Sequence, residues 1–223
     1  MAAFSKTGLC EQNPEKSYDI NVIGTKNIFQ YSYKNNIPLI YTSTDLVFDG
    51  VKGNYSEKDK VNPINIYGKH KLLAEKSLMS KEDNIWIARL PLLLGDVGSL
   101  GTSFLQDFLR SYRLGEHMRL FDVEIRDPLT GPIAARGLIW LSSQEKGIYH
   151  LGGKKSYSRY EMGLRFSEIF GLDKSKIIRS KHDEAKLASP RPKNLKLNCS
   201  KAIEKGFLQT DCMDDLLSVL PLF

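Results

Sequence analysis

The sequence predicts an α/β protein built on a parallel sheet. Short apolar runs recur along the chain at Ile37–Thr42, Asn84–Leu94 and Gly147–Leu151. Between them lie stretches whose apolar residues fall at helical spacing. Strands that alternate with helices in this way assemble into parallel sheets covered by helices. No internal repeat or low-complexity tract interrupts the pattern.

The elements follow in order. Asn13-Pro14 and then Glu15 mark a helix start, because Pro is tolerated in a first helical turn. Ile20, Ile23, Ile28 and Tyr31 continue that helix, and Asn35-Asn36 ends it. Ile37–Thr42 reads as a short buried strand. Asp49-Gly50 and Lys52-Gly53-Asn54 are turn signals. Asn65–Met79 is a second helix, and Asn84–Leu94 a second strand closed by Gly95-Asp96. Gly98–Gly101 reads as a flexible loop, and Phe104, Leu105, Phe108, Leu109 and Tyr112 mark an amphipathic helix. Met118–Phe121 is a short strand, Ile133–Leu141 a helix, and Gly147–Leu151 a strand ending in Gly152-Gly153. Ser158 with Glu161 three residues on is a capping box opening a helix to about Phe170. A Pro-rich loop, Ser189–Pro192, precedes the segment Ser200–Lys205 and a last helix from about Asp214.

The bulk numbers exclude several classes. The 223 residues are 41% hydrophobic and 26% charged, ordinary for a globular protein. No apolar stretch reaches the ~18–20 residues that span a bilayer, so no membrane role is expected. The N-terminus lacks a basic region followed by an apolar core, so no signal peptide is expected. Cys10, Cys199 and Cys212 are few and widely spaced, which suggests neither disulfides nor zinc and makes a cytoplasmic location the expectation. The four histidines lack metal-ligand spacing. The net charge of +6 is dispersed among acids rather than gathered in a stripe, so no nucleic-acid partner is expected.

Chemistry concentrates between Tyr41 and Lys71. Thr42, Ser43 and Thr44 end an apolar run, and Tyr67 and Lys71 follow four residues apart. On a helix, positions i and i+4 share a face, so the phenol and the ammonium can meet. A nearby cation lowers a phenol pKa and fits it for proton transfer. A hydroxyl that bonds a substrate carbonyl completes a minimal kit for moving a hydride to or from a carbon–oxygen bond. A Tyr-x-x-x-Lys pair alone is weak, and its plain reading is a solvated helix face.

Here the pair has company. The order STD, VFDG, Tyr55, Glu57, Asn62-Pro63 and Tyr67-Gly68 resembles the extended short-chain dehydrogenase/reductase family, and within it the dTDP-4-dehydrorhamnose reductase (RmlD-like) branch. NVIGTKN, ARLPLLLGD, EIRDPLTGPIAARGLIW, GIYHLGG and RPKNLKLNCSK extend the resemblance over almost the whole chain, with Asn198 where Asp is usual. It implies an NADP(H)- or NAD(H)-dependent reductase of a nucleotide-linked 4-keto sugar. Tyr67 would be the proton donor. Lys71 would hold the nicotinamide ribose and lower the Tyr67 pKa. Thr44 would polarise the carbonyl, with Ser43 as the alternative. Asn21 would support the active site beside the cofactor, and Pro91 would line the nicotinamide pocket. Thr44, Asp45, Val47 and Arg191 would meet substrate, Arg191 at its diphosphate.

Family members begin with a strand, a GxxGxxG-type turn and a helix. On this reading the chain has no such turn, which argues against cofactor binding by this chain, and it opens instead with AAFSKTGLCE, which resembles the middle of a member. The resemblance therefore implies a partial Rossmann-like sheet whose N-terminal strands are missing, with a small C-terminal α/β substrate-binding part. It places 1–96 and 132–151 in the first and 97–131 and 152–223 in the second. An uncovered sheet edge would favour a homodimer or a partner enzyme. A non-catalytic binding or regulatory subunit is the alternative, since a relative of this fold is a regulatory subunit of methionine adenosyltransferase. A truncated, inactive relative is another. Residue by residue, plainer readings stand beside these roles: β-propensity for Thr42–Thr44, a local hydrogen bond for Asn21, a solvated loop for Arg191, and a satisfied buried side chain for His150.

Overall fold

The computed structural model describes residues 3–79, 85–95, 103–181 and 188–219. The expected loop at Gly98–Gly101, with Asn84, Asp96 and His182, lies outside them. The chain begins with α1 (Thr7–Gln12) and α2 (Pro14–Tyr18). A π-helical turn over Asp19–Ile23 leads from α2 into α3 (Gly24–Lys34), so the predicted first helix is one rod with a wider turn in it. Within that rod the Thr25 hydroxyl donates to the Asn21 carbonyl (2.8 Å). Asn36 adopts φ 54° just past the rod, an αL residue where the Asn pair predicted the stop.

β1 (Ile40–Thr44) begins three residues later than expected. Pro38 offers no N–H to a ladder, which confines the run before it to irregular chain. α4 (Ile66–Met79) and β2 (Trp86–Leu90) follow. The predicted single strand to Leu94 is broken at Pro91, and β3 (Leu93–Leu94) joins a different sheet. Then come α5 (Phe104–Arg113), β4 (Met118–Phe121), β5 (Leu129–Thr130), α6 (Gly131–Leu141) and β6 (Gly147–His150). α7 (Arg159–Phe170) carries the complete Ser158–Glu161 capping box. β7 (Ile177–Ser180) was hidden in the sequence by its basic neighbours. α8 (Ser200–Glu204) and α9 (Cys212–Val219) close the described chain.

The central sheet runs β1-β2-β6, all parallel, with Thr44 opposite Leu90 and Arg89 opposite His150. Successive side chains of a strand point to opposite faces. Accordingly Trp86, Ala88 and Leu90 pack with Ile133, Ala134 and Leu141, while Ile85 and Ile87 pack with Phe29, Ala74 and Leu78. A second apolar centre gathers Phe108 of α5, Met118 of β4, Phe166 of α7 and Leu216 of α9. The strand pairs β3-β5 and β4-β7, also parallel, flank it.

Two close approaches fix the start of α4. Asn65 caps it by accepting from Gly68 N (2.8 Å), and Glu11 of α1 accepts from Ile66 N (2.8 Å). A Cβ on Gly68 would lie 2.2 Å from the Leu46 carbonyl oxygen, so only glycine lets the helix lie against the chain that follows β1. From the other side, the segment after Pro190 clasps the loop before α4. Asn194 N donates to Gly50 O, Tyr55 N to Lys196 O, and Asn198 N to Tyr55 O. Gly50, at φ 77°, leaves no room for a Cβ beside Pro192.

Gly68→Ala should lower the unfolding free energy by about 3 kcal/mol, the upper range for overpacking, because the obstacle is backbone. Urea titration of the two proteins measures it.

Candidate active site

The end of β1, the turn after it and the first turns of α4 bring the predicted residues together. Thr44 leaves the strand in an extended conformation and its hydroxyl accepts from Leu46 N (3.2 Å) while donating to Asp45 Oδ1 (3.1 Å). Asp45 is buried and pairs with the Arg126 guanidinium at 3.5 Å. Burial pushes its carboxyl up to about 6, with Arg126 and the Thr44 bond opposing. Ser43 is buried, and its hydroxyl has no hydrogen-bond partner among the described residues.

Tyr67 and Lys71 lie one turn apart on α4, as the spacing predicts. Their electrostatics differ from expectation. Burial pushes the Tyr67 phenol up, and the Asp45 carboxylate and Cys10 thiol push it further. The net shift in the ligand-free protein is upward, against the lowering expected from Lys71. The Lys71 ammonium lies 4.2 Å from the centre of the Tyr41 ring. Burial lowers Lys71 to about 8, with Glu75 opposing. Among the described residues Lys71 makes no hydrogen bond and no ion pair.

Asn21 sits on the π-helical turn, a feature that often marks functional positions. Its amide is fully used: Phe4 N donates to Oδ1 (3.0 Å), and Nδ2 donates to Phe4 O (3.0 Å) and Ser17 Oγ (3.2 Å). Ser17 Oγ in turn lies 2.8 Å from His70 Nδ1, next to Lys71 in the chain. Asn21 thus reaches α4 through Ser17 and pins the chain before α1. Val47 is fully buried against Phe48, Tyr55 and Leu195, so its side chain offers nothing to a substrate. Pro91 is buried where β2 ends. Arg191 is exposed, with Nη1 3.4 Å from both oxygens of Glu124.

Several site-supporting residues were missed by sequence reasoning. Arg89 of β2 donates from Nε to Glu75 Oε1 (3.1 Å) and from Nη2 to Glu75 Oε2 (2.8 Å). Both side chains are at most 4% exposed. Arg89 Nη1 also lies 3.4 Å from His150 Nε2, and His150 Nδ1 lies 2.9 Å from Tyr55 O. The signal available was a lone charge inside the apolar run NIWIARLPLLL. Burial and Arg89 push His150 down to about 3, so it is held neutral, the satisfied buried side chain of its plainer reading. Arg159 of α7 was also missed. It lies 3.5 Å from Glu124, and its Nε and Nη1 are buried without a hydrogen bond.

A nicotinamide cofactor can be tested against these residues. A buried ammonium with only a ring for a partner fits a pair of ribose hydroxyls, and Lys71 provides one beside Tyr67. For the pyrophosphate the described residues provide less. Gly152-Gly153 follows β6, but a Cβ on Gly153 would lie 2.3 Å from Pro128 O, so this pair serves chain packing rather than an open phosphate turn. Contrary to the expectation of no such turn, the spacing Gly95, Gly98, Gly101 does occur after β3. The strand before it is two residues long and pairs with β5, outside the central sheet, and Gly98 and Gly101 lie outside the described residues.

A parallel Rossmann-like sheet with a hydroxyl at one strand end and Tyr-x-x-x-Lys on the next helix defines a protein of the short-chain dehydrogenase/reductase type. The chain belongs to the RmlD substrate binding domain family, which matches residues 1–218. It is 31% identical to methionine adenosyltransferase 2 subunit beta of Xenopus tropicalis over 215 residues, 93% of this chain and 64% of that protein. It is 31% identical to the spore coat polysaccharide biosynthesis protein SpsK of Bacillus subtilis, covering 86% of this chain and 66% of that one. The chain thus spans just under two thirds of the length of these curated relatives. Its fold is similar to the dTDP-4-dehydrorhamnose reductase of Clostridium acetobutylicum (TM-score 0.90, 25% identity, 98% of this chain and 77% of that one). The dTDP-4-dehydrorhamnose reductase of Bacillus anthracis, solved with NADP, is similar too (TM-score 0.87, 25% identity, 97% and 76%).

His150 yields a pH prediction. Its folded pKa lies below its ordinary 6.5, so its contribution is complete above 6.5 and is lost as pH falls towards 3. The stability advantage of the wild type over His150→Gln should therefore shrink below pH 6.5, by up to ~1.4 kcal/mol per pH unit. Urea unfolding of both proteins at several pH values measures the difference while other groups cancel.

Proposed function

We propose that this chain carries the catalytic half of a reductase acting on a nucleotide-linked 4-keto sugar with NADPH or NADH, in the manner of the dTDP-4-dehydrorhamnose reductases. The observation that carries this reading is the buried, unpaired Lys71 one turn beyond Tyr67, with Thr44 and Asp45 adjoining. The cofactor, when bound, supplies hydride to the carbonyl carbon. Lys71 then holds the ribose hydroxyls and keeps the cofactor's reactive end beside the substrate. Tyr67 keeps its proton at neutral pH, chiefly because burial raises its pKa. It gives that proton to the sugar oxygen as negative charge develops there, a transfer that runs downhill because an alkoxide is far more basic than a phenolate. Thr44 orients the oxygen. Arg191, exposed and loosely held by Glu124, is free to turn to a diphosphate.

Tyr67→Phe should abolish sugar-dependent NADPH oxidation while leaving the fold intact, read by absorbance at the cofactor band and by circular dichroism. Near-normal turnover in that variant would sink the reductase reading.

One relative favours a second reading: methionine adenosyltransferase 2 subunit beta is named as a subunit of an enzyme, and on this reading the chain associates with a partner enzyme without turnover of its own. Tight association with a methionine adenosyltransferase catalytic subunit, with no cofactor binding and no sugar-dependent turnover, would favour it.

A further inference from the structure

Thr44 has one proton to give, and in the ligand-free protein it is already committed. A hydroxyl donates once and accepts twice. Here it donates to Asp45 Oδ1 and accepts from Leu46 N, which leaves one lone pair and no proton for a ligand. A carbonyl oxygen can only accept. It therefore cannot bond Thr44 in this state, whereas a sugar hydroxyl can donate to the remaining lone pair.

We propose that Asp45 is a positioning residue whose protonation decides which oxidation state of the sugar Thr44 can bind. This rests on the reductase reading above. When Asp45 is ionised, Thr44 points its proton at the carboxylate and receives a sugar hydroxyl. When Asp45 takes up a proton from solvent, its own O–H donates to Thr44, and the Thr44 proton turns to a sugar carbonyl. The keto sugar thus binds with uptake of one proton, and the hydroxy sugar binds without it.

The surroundings suit a group that exchanges its proton. Asp45 Oδ2 is buried without a hydrogen bond. Arg126, at 3.5 Å, and Arg159 of α7 favour the charged form. Burial and Asp127 favour the neutral form. Tyr67 of α4, neutral at working pH, faces the same carboxyl. The balance places the carboxyl at about 6, where both forms are populated near neutral pH.

The test has two arms. Without ligand, carbon NMR follows the Asp45 carboxyl against pH. Thr44→Val should raise its pKa, because a hydrogen bond to the charged form is lost, and Thr44→Ser should restore it. Thr44→Ala replaces the valine variant if that fails to fold. With ligand, calorimetry compares dTDP-4-dehydrorhamnose with dTDP-rhamnose between pH 5 and pH 8. The keto sugar should lose affinity by about tenfold per pH unit above the carboxyl pKa, and the hydroxy sugar should not. Asp45→Asn should flatten the difference. Equal slopes for the two sugars, or a slope that survives in Asp45→Asn, overturn the proposal. So does a carboxyl pKa unmoved by Thr44→Val, and with normal sugar binding that result leaves the reductase reading standing. Failure to bind either sugar at any pH, with the carboxyl response intact, brings down the reductase reading and the carbonyl discrimination with it.

Discussion

The forked ion pair between Arg89 and Glu75 is the contact on which the site depends. It ties α4, which carries Tyr67 and Lys71, to the middle strand of the sheet. Through His150 it reaches β6, and through the His150 ring to Tyr55 it reaches the loop before α4. Phe48 lies beneath the guanidinium and stacks on Tyr55 (4.3 Å). A pair this deeply buried is not a cheap source of stability, because desolvation offsets much of its attraction. Its value is directional. Removing one partner would strand the other charge in the interior, at about 3–5 kcal/mol. The helix is therefore held at one rotation, with the Lys71 ammonium against the Tyr41 ring of β1 and the Tyr67 phenol within the influence of Asp45.

That arrangement places unlike groups under one constraint. Lys71 and Asp45 are both buried, and each is pushed towards its neutral form. Glu75 supports the charge on Lys71, but Arg89 occupies both of its oxygens. Arg126 supports the charge on Asp45, yet it also donates to the carbonyls of Ile125 and Pro192. The charges of the site are thus partly neutralised by groups shared with the scaffold. The electrostatics of the candidate site and the integrity of the fold draw on the same few side chains.

Much of this was legible in the sequence, for reasons that differ by element. The helix at Asn65–Met79 and the capping box at Ser158 were readable because their signals are local. The parallel class was readable from alternation. β7 was not, because its pattern of two buried ends and two exposed middle residues sits among lysines. The division of Asn84–Leu94 into two strands was written at Pro91, which was read as a pocket residue rather than a strand break. Spacing found Tyr67 and Lys71, but it could not place the ammonium. A four-residue interval allows the two groups to meet, but it gives no hint of the Tyr41 ring, distant in sequence, against which the ammonium packs.

The clasp between the loop before α4 and the segment after Pro190 has a consequence for how the protein is made. Asn65, which caps α4, donates to Pro190 O across 125 residues of chain. Ribosomes add about 5–20 residues per second, so the cap precedes its partner by roughly ten seconds. During that interval the nascent chain already holds every residue of the Thr44–Tyr67–Lys71 set but lacks the strap that seats it. Completion of the site is thus deferred until Pro190 has been made, and a ribosome that stalls before that point leaves a chain with these side chains present and their strap missing.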